Sequence, residues 1–444
     1  MAETSLPYDP TDKTSIVTYA KRLVGKSLRQ TTDIGHIESP QTRRGSYGNA
    51  IEEHYFKYQP NSDSAPDFAE VGLELKVTPM KKAKGGLVAK ERLVISMIDF
   101  DEVVDEDFEH SHFLKKASDI LLISYLWEQN QDPLDYTVQL VEEWKIPEQD
   151  LAQIKQDWET VVDKVRLGRA HEISGSDTMY LEACTKAANS TVRRHQPYSD
   201  EPAKPRAWAF KASYMTAVEG DLFARTESIE RDESERNLAL LDLVRSRFSK
   251  FFGLSEAELS DMFELTKSKD LCARITRNIL GVSEDARIEE FEKAGIKPKT
   301  MRLRANGKPK EALSFPTFDY YTLDTCDFED SEFYEQLQQK YLFVLFREDN
   351  DGVYRLWDVC FWQMPESDYP EAKRCYDQMR ANVKAGHAEI SVRSRENRCC
   401  HVRPHARDAS DVLPQPHGNP TVKKCFWLNQ TYLQEEIAKT LESK

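Results

Sequence analysis

Two carboxylates and one lysine, Asp67, Glu74 and Lys76, lie close together in the first part of the chain. The segment from Gly72 to Val77 alternates apolar and polar residues, which predicts a half-buried strand. Side chains two positions apart on a strand point to the same side, so Glu74 and Lys76 share one face. Gly72 permits a turn that would bring Asp67 beside Glu74. We therefore expect two carboxylates and one ammonium group to converge at one strand.

That set of groups suits the hydrolysis of a phosphodiester bond. Carboxylate oxygens are hard ligands for Mg²⁺, which keeps several waters and meets a substrate phosphate. The ion polarises the phosphoryl oxygen and lowers the pKa of a bound water, while a lysine can orient that water and stabilise developing charge. Asp67 and Glu74 are therefore the candidate ligands of Mg²⁺, and Lys76 is the candidate catalytic residue. On spacing alone, an ordinary surface strand with a Glu–Lys pair is the favoured interpretation, because such patterns are common by chance.

Periodicity predicts the elements that must hold these groups. Apolar residues at helical spacing predict one helix from Thr14 to Leu28 and another from Asn49 to Phe56. Leu93 to Met97 is a second predicted strand, and Phe113 to Trp127 predicts a helix that runs into a buried strand. The predicted metal-binding strand would therefore lie among helices and other strands.

The same region resembles the PD…ExK nuclease signature and, more narrowly, the MutH-like family. That family joins a mismatch-repair nicking enzyme to GATC-cutting type II restriction endonucleases of the Sau kind. Matching stretches follow the family's order at Arg44–Glu52, Pro66–Lys76, Phe113–Ser118, Asp157–Glu159, Lys186–Asn189 and Arg206–Tyr214. The resemblance implies an α/β restriction-endonuclease-like fold with a mixed central sheet flanked by helices. It also implies Mg²⁺ as cofactor and double-stranded DNA as partner.

The resemblance assigns roles to two further residues of the site. Glu52 would lie beside the metal or hold Lys76, and Glu53 competes for that position. Lys116 would contact the scissile phosphate or the attacking water, and Lys115 competes with it. Both pairs are adjacent in the sequence, and both alternatives stay open at this point.

Four residues of this half are predicted to contact DNA: Lys186, Asn189, Arg206 and Lys211. Lys186 and Asn189 lie in the stretch similar to the family's DNA-reading loop, while Arg206 and Lys211 belong to a basic cluster with aromatic neighbours. Cys184-Thr185 stands where the nicking enzyme has Arg-Pro. That departure leaves the details of base readout open.

The second half repeats the order of motifs of the first, which suggests an internal duplication. A charged segment from Asp221 to Asn237 has few aromatic residues, and we place the domain boundary there. The prediction is a catalytic MutH-like nuclease domain at 1–225 and a degenerate MutH-like domain for DNA binding or regulation at 226–444. An unrelated second domain is the alternative.

Aligned by eye, the second half has lost the metal-binding residues. Lys297 stands at the position of Glu74, and a lysine cannot bind Mg²⁺. The position of Lys116 falls near Gln336. Three basic residues at the position of the DNA-reading loop are predicted to contact DNA: Arg403, His405 and Arg407. We therefore expect two tandem lobes, of which the second is catalytically degenerate.

Whole-chain composition fits a globular protein of two or three domains, with 444 residues, 39% hydrophobic and 31% charged. No apolar run reaches the roughly 18–20 residues that a membrane span needs, and the N-terminus lacks the pattern of a signal peptide. We therefore expect a cytoplasmic protein without membrane contact. The net charge of -15 argues only weakly against nucleic acid, because DNA responds to the local field of a groove.

Eight cysteines are scattered through the chain without a CxxC pair. In a long chain expected in the cytoplasm, we interpret them as reduced core residues and not as a disulfide framework. Zinc binding by Cys399, Cys400, His401 and His405 is the alternative, but their spacing fits zinc poorly.

The leading functional hypothesis is a type II restriction endonuclease that cuts duplex DNA at a short palindromic site, GATC through the resemblance. A mismatch-repair nicking nuclease is the second hypothesis, but the double-length chain argues against it. A DNA-binding regulator with a lapsed nuclease fold is the third, and the complete set of predicted catalytic residues in the first half argues against it. We expect a monomer in solution that can dimerise on DNA.

Overall fold

The computed structural model describes residues 6–34, 46–58, 65–83, 86–128, 131–187, 191–219, 226–266, 268, 271–283 and 287–442. The chain divides into two compact units. The first comprises Met1–Ala239 together with Arg287–Ala294, and the second comprises Leu240–Ala286 together with Gly295–Lys444. Among the helices of these described ranges, none is long and apolar enough to cross a membrane.

The first unit contains a mixed sheet that holds the predicted site. Its strands are β1 (Glu74–Ala83), β2 (Gly86–Ala89), β4 (Ile120–Leu126) and β5 (Val138–Trp144), in the order β2-β1-β4-β5. β1 and β4 run parallel with Glu74 opposite Ile120, and the two outer pairings are antiparallel. One face of β1 and β4 packs into the core through Leu75, Leu121 and Ile123, so the alternate residues Glu74 and Lys76 face the other side.

The remaining strands of the first unit form smaller sheets. They are β3 (Leu93–Met97), β6 (Leu181–Thr185), β7 (Arg194–Gln196), β8 (Ser199–Ala203), β9 (Arg206–Phe210) and β10 (Thr226–Glu227), with β11 (Arg287–Ile288) from the later segment. β3, β9 and β6 form one antiparallel sheet in that order, β7 and β8 form a hairpin, and β10 pairs with β11.

The helices of the first unit flank these sheets. They are α1 (Lys13–Lys21), α2 (Leu28–Thr31), α3 (Ser46–Ala50), α4 (Phe100–Val103), α5 (His112–Ala117), α6 (Glu148–Arg166), α7 (Ala212–Glu219) and α11 (Glu289–Ala294), with a π-helical turn at Ile51–Phe56. α1 packs on β5, α7 on β2 and α6 on β6. The mixed α/β architecture expected from the sequence is confirmed.

Two buried or capping side chains show how the sequence fixes these helices. The carboxylate of Asp157 on α6 accepts hydrogen bonds from the backbone N–H groups of Met179, Tyr180 and Leu181, at 2.8, 2.6 and 2.9 Å. This joins α6 to the start of β6. The Ser111 hydroxyl caps α5 by accepting from the N–H of Leu114, at 3.1 Å. The Ser111 cap fixes the start of α5, which leads directly into β4.

The predicted helix from Thr14 to Leu28 is two helices in the structure. α1 ends at Lys21, and α2 begins at Leu28. Between them Gly25 has a φ of 75°, which breaks the helical path. The apolar spacing continued across this break, so periodicity alone could not locate it.

The second unit has its own mixed sheet. Its strands are β12 (Ile296–Leu303), β13 (Leu313–Thr317), β14 (Lys340–Glu348), β15 (Tyr354–Trp362), β16 (Cys400–Pro404), β17 (Val412–Gln415), β18 (Gly418–Val422) and β19 (Lys424–Leu428). β12 and β14 are parallel and β15 is antiparallel to β14. β13, β19 and β16 form an antiparallel sheet, and β17 and β18 form a hairpin. Each of these groupings has a counterpart at the same place in the strand order of the first unit.

Seven helices of the second unit surround these strands: α8 (Leu240–Ser249), α9 (Glu256–Met262), α10 (Leu271–Leu280), α12 (Tyr320–Thr325), α13 (Glu332–Leu337), α14 (Tyr369–Lys384) and α15 (Gln430–Glu442). Ser331 caps α13 as Ser111 caps α5.

All eight cysteines of the chain are free, which agrees with their interpretation as reduced thiols. Cys399 and Cys400 lie in the core, and within the described ranges no group of three or more His, Cys, Asp or Glu could hold a metal ion.

A buried ion pair joins the late segment Arg287–Ala294 to the rest of the first unit. The ammonium group of Lys293 lies 2.9 Å from both carboxylate oxygens of Asp150, and both side chains are 3% exposed. The Tyr214 hydroxyl donates to the same carboxylate at 3.0 Å, and Glu289 contacts the ammonium group at 2.9 Å. Every charge in this cluster therefore has a partner.

We expect Lys293→Met to destabilise the first unit by about 3–5 kcal/mol, because it leaves the buried carboxylate of Asp150 without its cation. Urea unfolding followed by circular dichroism measures this change. Lys155→Met is the matched control, since Lys155 forms an exposed pair with Glu109 that is worth at most about 1 kcal/mol. Equal losses of stability in the two variants would contradict the prediction.

Candidate active site

A tight turn places Asp67 against the start of β1. The backbones of Phe68 and Leu73 exchange two hydrogen bonds, at 2.9 and 3.2 Å, and Gly72 has a φ of 66° between them. The turn brings the carboxylate of Asp67 to β1, where its Oδ2 accepts from the N–H of Leu75 at 2.9 Å. The turn expected at Gly72 is therefore present, and it sets Asp67 beside Glu74.

Glu74 lies at the centre of the site and is 2% exposed. Its Oε1 accepts from the ammonium group of Lys76 at 2.5 Å, and the ammonium group of Lys116 lies 3.7 Å from the same oxygen. Its Oε2 is also buried but has no hydrogen-bond partner among the described residues. A buried carboxylate oxygen is normally satisfied, so this oxygen is open to a ligand.

Glu52 reaches the site from the π-helical turn that precedes it. Burial, and then the charge of Asp67, raises the pKa of Glu52 to about 7. Burial, and then the charge of Glu74, also raises the pKa of Asp67. Glu53, by contrast, lies beside His54 with 38% of its side chain exposed. The structure thus brings Glu52, and not Glu53, to the carboxylate cluster.

The residues present fit a divalent cation. Asp67 and Glu74 lie at the start of β1 with Glu52 within electrostatic range, and Glu74 offers a buried oxygen that has no hydrogen-bond partner among the described residues. Asp67 and Glu74 could hold the ion through hard oxygen atoms. A site in which the protein supplies every metal ligand needs more than two carboxylates. Two carboxylates therefore suit an ion that keeps several waters and also binds a substrate phosphate.

The two adjacent lysines of α5 occupy different environments. The side chain of Lys116 is 16% exposed and faces Glu74, whereas Lys115 is exposed to solvent. Residues next to each other on a helix point about 100° apart, so only one of the two can face the site. The geometry selects Lys116.

On the function expected from the sequence, Lys116→Met should slow DNA cleavage by about 10²-fold, because it would remove a cation expected to stabilise the charge that develops on the phosphate. Lys115→Met is the matched control and should change the rate less than about twofold, since its ammonium group is solvated. Single-turnover rates at saturating DNA measure both. Similar losses in the two variants would mean that the lysines act through general attraction of DNA.

The structure corrects two of the predicted DNA contacts. Arg206 is 5% exposed, and its guanidinium donates to the carbonyl oxygens of Ala183, at 3.0 Å, and Ile173. The ammonium group of Lys211 donates to the carbonyls of Gly175 and Thr178, at 2.8 and 2.6 Å. Both residues satisfy backbone groups inside the unit, so neither is placed to meet a phosphate.

The other predicted DNA contacts lie on surfaces. Lys186 is exposed just after β6, and Asn189 lies outside the described residues. In the second unit Arg403, His405 and Arg407 are exposed at and after the end of β16. The guanidinium of Arg403 lies 3.6 Å from the ring centroid of Trp427, a cation–π contact that holds it at the surface.

In the alignment by eye, Lys297 of the second unit stands at the position of Glu74. The ammonium group of Lys297 lies 3.2 Å from Oε1 of Gln336. The strand register gives a different correspondence from the alignment by eye. Glu74 pairs with Ile120, the first residue of β4, and Ile296 pairs with Lys340, the first residue of β14. By register, Ile296 and not Lys297 therefore corresponds to Glu74. Either Lys297 or Ile296 then replaces Glu74, and neither side chain can bind Mg²⁺.

Tyr58 is a residue of this region that the sequence did not single out. It follows the π-helical turn, and its buried hydroxyl has no partner in the part of the chain that the structure describes. A lone tyrosine beyond a predicted helix carries no motif. Only its three-dimensional neighbours reveal it.

Comparisons with known proteins agree with this geometry. The family described as "DNA mismatch repair enzyme MutH" matches residues 56–157. The type II restriction enzyme Sau3AI of Staphylococcus aureus is 32% identical over 500 aligned positions, which cover 96% of this chain and 98% of that enzyme. The DNA mismatch repair protein MutH of Shewanella woodyi is 26% identical over 48% of this chain and 93% of its own length. MutH of Vibrio cholerae is 27% identical over 40% of this chain and 81% of its own length.

Proposed function

Because the chain belongs to the family of the type II restriction enzyme Sau3AI, we propose that it hydrolyses phosphodiester bonds of duplex DNA at the palindrome GATC. It is a site-specific deoxyribonuclease that depends on a divalent metal ion. The observation that carries the proposal is the convergence of Asp67, Glu74, Lys76 and Lys116 at the start of β1. We infer that Mg²⁺ is the ion, because the ligands are carboxylates.

Each residue of the site has its own proposed role in hydrolysis. Asp67 and Glu74 would hold Mg²⁺, which when bound polarises the phosphoryl oxygen and acidifies a water. Lys76 lies 2.5 Å from Oε1 of Glu74 and can orient the attacking water at its ammonium group. Lys116 stabilises negative charge on the phosphate. Glu52 adds a third acidic group beside Asp67 and can accept a proton near the site.

We propose that the second unit is a degenerate copy of the first that binds DNA. The matching order of elements supports this, as do a residue that cannot bind Mg²⁺ at the position of Glu74 and the uncharged Gln336 at the position of Lys116. The proposed domains are 1–225 for cleavage and 226–444 for DNA binding or regulation. Arg403, His405 and Arg407 would contact DNA in the second domain, and Lys186 with Asn189 in the first.

A plasmid assay tests the function directly. The purified protein is mixed with Mg²⁺ and unmethylated plasmid DNA, and the ends of the products are sequenced. We expect discrete fragments that begin or end at GATC. Products from other sequences would refute the target, and intact plasmid would refute the nuclease function.

A nicking activity is the second candidate function, because the MutH family matches the region that holds the site. Nicked circles without linear product would favour it. The length of the chain favours double-strand cleavage, since the MutH relatives cover about half of it.

We propose that the chain is a monomer in solution with one cutting centre. Cleavage of both strands then needs a second chain on the DNA or a second visit to the opposite strand. The reaction order of cleavage with respect to enzyme concentration distinguishes the second chain from the second visit. A rate of first order with accumulation of nicked DNA would exclude obligate pairing of chains.

A further inference from the structure

The backbone around Tyr58 fixes its position beside the site. Lys57 has a φ of 63°, which turns the chain at the end of the π-helical segment. The N–H of Tyr58 then donates to the carbonyl oxygen of Glu52 at 3.1 Å. The ring packs edge-on against Phe68, with 5.6 Å between the ring centroids. Tyr58 is therefore held by the backbone of Glu52 and by the ring of Phe68, the residue next to Asp67.

The hydroxyl of Tyr58 points into an acidic environment and lacks an acceptor. It is buried, and the described residues provide no hydrogen-bond partner for it. Burial, followed by the charges of Asp67, Glu52 and Glu74, raises the pKa of Tyr58 above its usual value. A phenol is neutral near pH 7, so this hydroxyl can act as a hydrogen-bond donor.

Tyr58 lies in the wall of a cleft, and its hydroxyl is buried within that wall. The volume of the cleft is about 250 Å³, and Tyr58 and Asp67 both line it, together with Tyr8 and Phe68. A water needs only a small part of that volume and two to four polar partners. Tyr58, whose buried hydroxyl has no partner among the described residues, therefore lines the same cleft as Asp67, which would bind the cation.

We propose that Tyr58 is a positioning residue that donates a hydrogen bond to a water in the outer hydration shell of the cation that Asp67 and Glu74 would hold. The inference rests on the proposed metal-dependent function. Mg²⁺ keeps several of its waters when carboxylates bind it, so a donor beside Asp67 meets the hydration shell. A neutral phenol can orient such a water without repelling the cation, which a lysine at this place would do.

The variant Tyr58→Phe tests the proposal, with Tyr8→Phe as the matched control. Tyr8 lines the same cleft, but its hydroxyl already donates to the carbonyl of Phe56 at 2.8 Å. Tyr58→Phe removes only an unpaired hydroxyl and should fold as well as the wild type. Tyr8→Phe loses a buried hydrogen bond and should unfold at a lower temperature.

Two measurements on the full chain separate the outcomes. We expect Mn²⁺ affinity, from titration calorimetry without DNA, to fall several-fold in Tyr58→Phe and to stay near wild type in Tyr8→Phe. The single-turnover cleavage rate in Mg²⁺ should fall about tenfold in Tyr58→Phe alone, with DNA affinity in Ca²⁺ unchanged. Equal Mn²⁺ affinity and equal rates in Tyr58→Phe and wild type would overturn the proposal. A wild type that binds Mn²⁺ but does not cut DNA would refute the proposed function and leave the Mn²⁺ comparison as the test of Tyr58.

Discussion

Asp67→Ala and Glu74→Ala should each lower the rate of DNA cleavage by at least about 10³-fold. A bound metal ion supplies several kcal/mol of stabilisation to the charge that develops on the phosphate. Each variant removes one of the two carboxylates proposed to hold that ion, and Glu74 also provides a buried oxygen that has no hydrogen-bond partner among the described residues. Cleavage is measured under single turnover with Mg²⁺, and metal affinity with Mn²⁺.

DNA binding should survive both substitutions. The carboxylates repel phosphate when no cation is bound, so their loss should leave DNA affinity in a metal-free buffer unchanged or increased. Lys297→Ala is the control in the second unit, because Lys297 lies beside Gln336 and not in a carboxylate cluster. It should leave the chemistry intact. If Lys297→Ala stopped hydrolysis as completely as Glu74→Ala, the assignment of catalysis to the first unit would be wrong.

Lys76→Met should lower the cleavage rate by about 10²–10³-fold and keep the metal. The ammonium group of Lys76 lies 2.5 Å from Oε1 of Glu74, where it can orient water and stabilise charge on the reacting phosphate. Its removal leaves both carboxylates in place and takes away a neighbouring positive charge. Mn²⁺ affinity measured by calorimetry should therefore stay the same or rise.

Lys82→Met is the matched control for this prediction. Lys82 lies on the same strand, its side chain is 70% exposed, and it pairs with Glu128 at the surface. Its loss should change the single-turnover rate by less than about twofold. A large fall in Mn²⁺ affinity in Lys76→Met, matching the fall in rate, would show that Lys76 supports metal binding instead of the chemical step.

Strand geometry made the centre of the site predictable. Side chains two positions apart on a strand share a face whatever the rest of the fold does, so Glu74 and Lys76 could be paired from the sequence. The turn at Gly72 was also local, and it places Asp67 at Leu75 as expected. Resemblance to a known family added Glu52 and Lys116, each with an adjacent competitor.

Burial was not predictable in the same way. Arg206 and Lys211 belong to a basic cluster in the sequence, and only the fold shows that they hold the carbonyls of Ala183 and Thr178. The sequence pattern of a basic cluster is the same whether its side chains face solvent or buried backbone groups. That distinction depends on partners remote in the sequence.

The sequence by itself determined the chemical types of the site, the strand that carries Glu74 and Lys76, and the family to which the chain belongs. Only the tertiary structure shows that Lys116 and not Lys115 faces Glu74 and that Glu52 lies within the electrostatic range of Asp67, and only it revealed Tyr58. Local patterns follow from the repeat of the backbone, which is the same in every strand or helix. The direction in which a helix faces, and the groups that become buried, are set by packing between segments far apart along the chain.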